Sequence, residues 1–237
     1  MLPARQYKPL LRRPLPDFKA PHQRAAPFRC RLIIMAKAPV AGRVKTRLAT
    51  EAGVATALRF ARHRIAALVQ GMGRTARWST ILAGSPECPA CRWPWPPGVP
   101  LIAQGNGDLG ARMQRLLDRA PAGPVVIVGT DVPGITQAHI AAAFRQLGRH
   151  DAVIGPAEDG GYWLVGLRRR PRVLRPFAGV RWSTAHARGD TLANLHGRSA
   201  ALVATLGDVD TADDLARWAG QWARRIGLAN STLSVIA

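Results

Sequence analysis

The sequence is poor in cysteine, in acidic residues and in long apolar runs. Its three cysteines, Cys30, Cys88 and Cys91, are too few for a disulfide framework or a four-cysteine zinc site. Cys88 and Cys91 form a single C-x-x-C in a proline- and tryptophan-rich stretch, which we interpret as a loop pair, with metal or redox use as the alternative. No stretch approaches the roughly 18 consecutive apolar residues that a membrane helix requires. We therefore expect a cytoplasmic protein without a membrane span.

The shortage of acids leaves a strongly basic chain. The 14 Asp and Glu stand against 34 Lys and Arg, a formal charge of +20, and only four of those cations are lysine. This skew is explained as well by a genome-wide preference for arginine as by an anionic partner. The sequence has no recognisable nucleic-acid-binding module, and its tryptophans are not interleaved with basic residues. A nucleic-acid-binding protein is an alternative, but we expect no specific nucleic-acid partner.

Length and composition favour one domain with two tails. Apolar residues make up 47% of the 237 residues, which suits a single α/β domain. Residues 1–29 carry seven basic residues, one acidic residue and six prolines, with no apolar run of signal-peptide length. We interpret 1–29 as a disordered tail or an over-long start, with a targeting peptide as the alternative. The domain is expected over 30–228, and 229–237 form a C-terminal tail.

Short apolar runs alternate with stretches whose apolar residues recur at helical spacing. The predicted strands cover residues 32–36, 78–82, 101–103, 125–128, 152–154, 162–167 and 201–206. The predicted helices cover residues 46–70, 109–119, 136–147, 184–196 and 208–225. This alternation indicates a mostly parallel sheet between two layers of helices, and ligands of such sheets bind at the carboxyl ends of the strands.

The loop after the first predicted strand is rich in cations. Two of the four lysines, Lys37 and Lys45, flank it, and Arg43 and Arg47 bring its cations to four. Gly42 lets the backbone approach an anion, and the following helix start adds N–H donors. The Gly-Lys-Ser/Thr of a Walker A loop is absent. We interpret the loop as a polyphosphate cradle, with a solvated basic loop as the alternative.

Acidic residues cluster where strands end. Five of them directly follow predicted strands: Asp108, Asp131, Glu158, Asp159 and Asp210. Carboxylates that converge at this edge form a hard oxygen site for Mg²⁺ or Mn²⁺ carrying a phosphate. Asp131 is the leading candidate, because it follows a wholly apolar strand and caps no predicted helix. Capping of the last helix is the alternative for Asp208 and Asp210 and the better interpretation for Asp213 and Asp214.

The letters G-x-G-x-x-G at 105–110 match the dinucleotide fingerprint between a predicted strand and a helix. That fingerprint normally follows the first strand of a domain, whereas here it follows the third and contains Asp108. NAD is therefore only an alternative ligand.

Six motifs occur in a fixed order over residues 31–225. They are K-x-P-x-x-G-x-V-K-T-R-L (37–48), Q-G-x-G-D-L-G-x-R-M (104–113), G-T-D-x-P (129–133), G-P-x-x-D-G-G-Y-x-L-x-G-L (155–167), W-S-T (182–184) and D-V-D-T-x-x-D-L (208–215). Together they resemble the small glycosyltransferase-like family associated with arsenosugar biosynthesis. The resemblance implies the GT-A fold of nucleotide-diphospho-sugar transferases, a three-layer α/β/α sandwich in one domain. The first loop is also similar to that of the molybdenum-cofactor and phospholactate guanylyltransferases.

The resemblance also implies roles for individual residues. The nucleotide would be bound by residues of the first three motifs: Lys37, Gly42, Arg43, Lys45, Thr46, Arg47, Gln104, Gly107, Asp108, Arg112 and Asp131. The metal would be held by Asp131, with Asp210 as second ligand. The acceptor would lie against residues of the fourth and fifth motifs: Asp159, Gly160, Gly161, Tyr162, Trp182, Ser183 and Thr184. Asp159, as the base, and Lys45 are the candidate catalytic residues.

These residues predict a metal-dependent glycosyltransferase with a nucleotide-diphospho-sugar donor, a small-molecule acceptor and Mg²⁺ or Mn²⁺ as cofactor. The alternative is a nucleotidyltransferase, in which the same loop binds a nucleoside triphosphate and the acceptor is a phosphate or carboxylate. No oligomeric state follows from the sequence.

The tail interpretation predicts the behaviour of a shortened chain. A protein that begins at Phe28 should keep its melting temperature and its nucleotide binding, because the removed residues contain no predicted strand and no part of the basic loop. Its affinity for heparin should fall, because a strongly basic segment is gone. Loss of folding or of nucleotide binding on truncation would show that the tail packs on the domain.

Overall fold

The computed structural model describes residues 28–85, 94–170 and 172–225, with side chains up to residue 220. The expectations for residues 1–27, for the Cys88 and Cys91 pair and for residues 229–237 lie outside the described residues. Within the described ranges, no helix is long and apolar enough to cross a membrane.

Strands and helices alternate as the sequence predicts. The strands are β1 (Arg31–Lys37), β2 (Ser79–Ser85), β3 (Leu101–Ala103), β4 (Val125–Val128), β5 (Ala152–Pro156), β6 (Tyr162–Leu167) and β7 (Ala200–Leu202). The helices are α1 (Thr46–Ala52), α2 (Val54–Gly73), α3 (Leu109–Arg119), α4 (Gln137–Leu147), α5 (Ala187–Ala193) and α6 (Ala212–Arg225).

The strands form one seven-stranded sheet in the order β3-β2-β1-β4-β6-β5-β7. Every neighbouring pair is parallel except β4 with β6 and β5 with β6, so β6 alone runs the other way. The reversal follows from the short connection between β5 and β6, because a turn of this length can join only antiparallel strands. The predicted mostly parallel sheet is confirmed.

Helices cover both faces of the sheet. In β1, Leu32 and Ile34 face a core cluster that includes residues of α2 and α4, whereas Ile33 and Met35 face a second cluster that includes residues of α3. Both faces of the central strands are therefore buried, which explains why their sequences are continuous apolar runs. The three-layer α/β/α architecture is confirmed. A smaller cluster of Leu48, Phe60 and Val209 joins α1 and α2 to the segment before α6, and Trp218 of α6 packs against it.

Several element boundaries differ from the prediction. The helix predicted over 46–70 is two helices, because Gly53 has φ +88° and ψ 150°, which no helical residue adopts. The predicted helix over 184–196 is shorter, at Ala187–Ala193, and the strand over 201–206 ends at Leu202. The last helix begins at Ala212 instead of residue 208, so residues 208–211 are free to line the edge of the sheet.

The close packing of β6 against its two neighbouring strands predicts that a methyl group added at Gly166 destabilises the protein. A Cβ added at Gly166 would lie 2.7 Å from Cγ1 of Val153 and 3.0 Å from Cγ2 of Val126, on the strands at either side. We expect Gly166→Ala to lower the free energy of unfolding by about 1–3 kcal/mol in urea titrations, because the two valines are closely packed and cannot move apart without strain.

A glycine-to-alanine change elsewhere is the control. A Cβ at Gly71, in α2, would meet nothing within 4 Å. Gly71→Ala should therefore be neutral or stabilising by up to roughly 1 kcal/mol, since alanine is the better helix former. Equal effects at the two positions would contradict the packing argument.

Candidate active site

The loops at the carboxyl ends of the parallel strands surround two adjoining cavities of about 290 Å³ and 750 Å³. Because β6 runs in the opposite direction, its first residue, Tyr162, lies at this same edge. Five residues line both cavities: Lys37, Arg47, Thr130, Asp131 and Asp210. We call the smaller cavity the loop cavity and the larger one the cleft.

The loop cavity is lined by the predicted polyphosphate cradle. The four predicted phosphate-binding cations, Lys37, Arg43, Lys45 and Arg47, all line it, as does Thr46. Gly42 is not in the lining; with φ +72° it serves the turn, which the Arg43 amide closes on the carbonyl of Val40 at 3.0 Å.

Lys45 has an unusual backbone. It adopts a left-handed conformation, φ 48° and ψ 51°, directly before α1. For a residue with a Cβ this conformation costs about 1–2 kcal/mol, and such residues persist where the surroundings fix them. The surroundings here are an ion-pair network.

The ammonium group of Lys45 lies between two carboxylates. Its Nζ is 2.6 Å from Oδ1 of Asp210 and 3.1 Å from Oδ1 of Asp131. The Lys45 side chain is 8% exposed, whereas Asp131 and Asp210 are 59% and 42% exposed. The three residues therefore form a charge bridge, with a buried cation and two carboxylates that still face the cavities.

The charge bridge fixes the protonation state of Lys45. Burial alone would lower the pKa of the ammonium, but the charge of Asp131 and the hydrogen bond to Asp210 outweigh it and raise the pKa above its usual value. Lys45 is therefore charged at neutral pH and acts as a fixed positive charge rather than as a base.

Backbone hydrogen bonds place the two carboxylates side by side. The amide of Val209 donates to the carbonyl of Asp131 at 3.2 Å, which joins their two segments. Oδ2 of Asp214 accepts from the amides of Asp210 and Thr211 at 3.0 and 2.9 Å, and the Thr211 hydroxyl accepts from the Asp214 amide. The capping interpretation is thus correct for Asp214, and this cap at the start of α6 positions Asp210.

Arg64 of α2 lies behind Asp131 and was not among the predicted site residues. It is 5% exposed, and its Nη2 donates to the carbonyl of Val132 at 3.1 Å. Burial lowers its pKa to about 10, and the negative charge of Asp131 opposes that shift. The sequence carried a signal for it, since Arg64 interrupts the apolar stripe of α2 between Phe60 and Leu68.

Gln104 and Arg112 line the cleft beside β3, but Gln104 is fully engaged by the protein. Its Nε2 donates to the carbonyls of Ala36 and Ala83 at 3.0 and 2.8 Å, and its Oε1 accepts from Nη1 of Arg112 at 3.0 Å. Gln104 therefore holds Arg112 against the ends of β1 and β2. Contact of Arg112 with a nucleotide stays a prediction.

Asp108 and Gly107, also predicted to bind nucleotide, do not line either cavity. Oδ1 of Asp108 accepts from the amide of Ala111 at 2.7 Å and caps α3. Gly107 has φ +104° in the turn before that cap. Gly105 and Gly107, both with positive φ, thus lie in the turn, whereas Gly110 leaves room for Trp182 and Phe177, to which a Cβ would approach within 2.9 and 3.0 Å.

Most of the predicted acceptor residues line the other end of the cleft: Asp159, Gly161, Tyr162, Trp182, Ser183 and Thr184. The Asp159 carboxylate accepts from the amide of Gly161 at 2.8 Å. Gly160 is absent from the lining; a Cβ there would lie 2.6 Å from the carbonyl oxygen of Ala185. A glycine is needed at this position for the close approach of two loops, and it does not make space for a ligand.

Aromatic rings form the wall of this end. Trp182 contacts Tyr162 edge-on at 6.3 Å and Phe177 at 6.1 Å between ring centroids. Arg181 and Asp190 form a two-pronged ion pair, at 3.0 and 2.8 Å, that fixes the loop carrying Trp182. Burial raises the pKa of Tyr162, so its hydroxyl stays protonated beside Thr191.

Asp208 is a further cleft residue that was left open in the sequence analysis. It is half-buried and does not cap α6, whose cap is formed by Thr211 and Asp214. Burial, and the nearby charges of Asp210 and Asp159, raise its pKa. This end of the cleft is therefore rich in carboxylates as well as aromatic.

The carboxylates at the border of the two cavities could supply some, but not all, of the ligands of a divalent cation. Among the described residues, no group of three or more His, Cys, Asp or Glu side chains could hold a metal ion. Asp131 and Asp210 supply two hard oxygen ligands at the border of both cavities. Mg²⁺ is commonly bound by one or two carboxylates plus substrate phosphates, so the pair fits a cation that arrives with its nucleotide.

Comparisons with known proteins identify relatives of the chain and its fold. The sequence matches, over residues 67–184, the family model described as an uncharacterized protein conserved in bacteria (DUF2064). No curated protein matches it. Among solved structures, it is similar to a protein from Desulfovibrio desulfuricans G20 provisionally described as a nucleotide-diphospho-sugar transferase. The two are 30% identical with a TM-score of 0.72, over 78% of this chain and 84% of that one.

More distant structures share the fold. One is 4-diphosphocytidyl-2C-methyl-D-erythritol synthase from Anaerococcus prevotii DSM 20548, with a TM-score of 0.51 and 9% identity over 80% of this chain and 93% of that one. Another is CMP:2-keto-3-deoxy-manno-octonic acid synthetase in complex with CTP, with a TM-score of 0.51 and 13% identity over 83% and 99%. The chain belongs to the same family as the Desulfovibrio desulfuricans protein, its residues 67–184 match the DUF2064 model, and its fold is that of the nucleotide-diphospho-sugar transferases.

Proposed function

We propose that this protein is a glycosyltransferase that takes a nucleotide-diphospho-sugar, with Mg²⁺ or Mn²⁺, and transfers the sugar to a hydroxyl of a small-molecule acceptor. The observation that carries the proposal is the charge bridge of Lys45, Asp131 and Asp210 at the border between a cation-lined cavity and an acid-lined, aromatic cleft. The four cations of the loop cavity suit a diphosphate, and the carboxylates and aromatic rings of the cleft suit a polyhydroxylated acceptor.

The diphosphate of the donor would bind in the loop cavity. Lys37, Arg43, Lys45 and Arg47 line it, and a guanidinium or ammonium forms strong charge-assisted hydrogen bonds to phosphate oxygens. These cations stabilise the negative charge that builds up on the departing nucleoside diphosphate. A divalent cation bound by Asp131 and Asp210 would neutralise part of the same charge.

Asp159 is the proposed base. It lines the cleft, and the amide of Gly161 donates a hydrogen bond to one of its oxygens. As the acceptor oxygen attacks the anomeric carbon, the Asp159 carboxylate takes the hydroxyl proton and the bond from that carbon to the diphosphate breaks. The Tyr162 and Trp182 rings would pack on the apolar face of the acceptor.

The alternative is nucleotidyl transfer onto a phosphate or carboxylate, and the four cations of the loop cavity suit a triphosphate as well as a diphosphate. The acceptor end argues against it. Asp159 and Asp208 would repel an anionic acceptor, and the cations that line the cleft, Lys37, Arg47 and Arg112, are fewer than its four carboxylates. The motif resemblance to the arsenosugar-type family supports the glycosyl donor.

The released product distinguishes the two reactions. With a mixture of nucleotide sugars, Mn²⁺ and a panel of polyols, we expect free nucleoside diphosphate and no pyrophosphate, measured by anion-exchange chromatography. Pyrophosphate released from a nucleoside triphosphate, dependent on a phosphorylated acceptor, would establish nucleotidyl transfer instead.

The role of Asp159 has a matched control in its neighbour. Asp159→Asn should reduce the turnover number by at least 100-fold, because the acceptor proton has no base, while donor binding stays unchanged. Glu158 is exposed and outside the cleft lining, so Glu158→Gln should keep most of the activity. Similar losses in both variants, or a loss of donor affinity in Asp159→Asn alone, would contradict the assignment.

A further inference from the structure

The Lys45 ammonium contacts one oxygen of each carboxylate that a divalent cation would need. Its Nζ lies within 3.1 Å of Oδ1 of both Asp131 and Asp210, and only 8% of the side chain is exposed. A divalent cation bound to the same pair would lie close to this ammonium, and the repulsion between two cations grows steeply as they approach.

We propose that Lys45 is an internal counterion that keeps divalent cations off the Asp131 and Asp210 pair until a phosphate group of the nucleotide draws its ammonium away. This inference rests on the proposed function of the site. It makes binding ordered, since the divalent cation binds well only with or after the phosphate.

The surroundings of Lys45 allow such an exchange of partners. Its side chain lines the loop cavity together with Arg43 and Lys37, where the phosphates are proposed to bind. The flexible four-carbon stem can carry the ammonium to a phosphate oxygen without a change in the backbone. Each phosphate oxygen that replaces a carboxylate oxygen on Nζ frees that carboxylate oxygen for the metal.

Two other cations near the pair compensate its charge less than Lys45 does. The Nη1 of Arg47 is 3.9 Å from Oδ2 of Asp210, and the Arg47 side chain is 77% exposed. Arg64 acts on Asp131 only through its charge, since its described hydrogen bond is to the carbonyl of Val132. Removal of the Lys45 charge therefore leaves two carboxylates that are close together and poorly compensated, which is an attractive site for Mn²⁺.

The inference is tested by binding of Mn²⁺ alone, without nucleotide, to the full-length protein. Free Mn²⁺ is counted by its electron paramagnetic resonance signal during titration of the wild type, Lys45→Met and Arg43→Met. Arg43→Met is the matched control: it removes one charge from the same cavity, and no described ion pair joins Arg43 to either carboxylate. We expect Lys45→Met to bind Mn²⁺ at least tenfold more tightly than the wild type, and Arg43→Met to bind within threefold of it.

Two further variants guard against misfolding and locate the bound Mn²⁺. Lys45→Ala replaces Lys45→Met if the latter does not fold by circular dichroism. The double variant Lys45→Met/Asp131→Asn should lose the gained affinity, which locates the Mn²⁺ at the pair.

Two outcomes overturn the inference and have different consequences. If Mn²⁺ binds to the wild type and to the Lys45 variants with the same affinity, and Asp131→Asn abolishes both, then Lys45 does not guard the pair, although the proposed metal site stands. If Mn²⁺ binds to none of the proteins at this pair, the metal assignment in the proposed function is wrong as well.

Discussion

The compensation of two carboxylates by one buried ammonium is the interaction on which the site depends. Asp131 follows a central strand and Asp210 follows an extended segment far along the chain, and like charges at this distance repel each other. The Val209 amide and the Asp214 cap bring the two segments together, and the charge of Lys45, in contact with both carboxylates, offsets their repulsion. The strained backbone at Lys45 is consistent with a residue whose position is fixed by its partners.

The charge bridge also lies between two cavities of different charge. The chain has 14 acidic residues in a background of +20, yet four of them, Asp131, Asp159, Asp208 and Asp210, line the cleft. The loop cavity has only two of these carboxylates, Asp131 and Asp210, beside the four cations of the loop after β1. This difference in charge favours one orientation of a ligand that has an anionic and a neutral part.

The sequence predicted best the strands and helices whose apolar faces pack within the sheet or against it. The strand Val125–Val128 and the helix Leu109–Arg119 lie where periodicity placed them, because both faces of the strand and one face of the helix are buried. The predicted helix boundaries were wrong where a single backbone angle or a distant contact determines them. Gly53 splits one predicted helix, and residues 208–211 precede the last helix instead of forming its start.

The same distinction applies to the site residues. The residue types and the loops were predictable, and the structure brings Lys45, Asp131 and Asp210 together. The roles of Gln104, Asp108 and Gly160 were not, because each depends on a hydrogen bond or a close approach to a residue that no pattern reveals. Arg64 was overlooked because charged residues on a helix are usually solvated, and here tertiary packing overrides that tendency.

The reversed direction of β6 has a consequence for how such enzymes diversify. The turn that carries Asp159 joins two adjacent strands at the active-site edge, whereas the basic loop leads from β1 into α1 on the other side of β4. Residues can be inserted or exchanged in that turn without altering the register of β1, β2 or β4, to which the basic loop is anchored. The fold thus carries the loop proposed to bind the donor and the turn proposed to bind the acceptor on two separate segments of chain, and each can vary without the other.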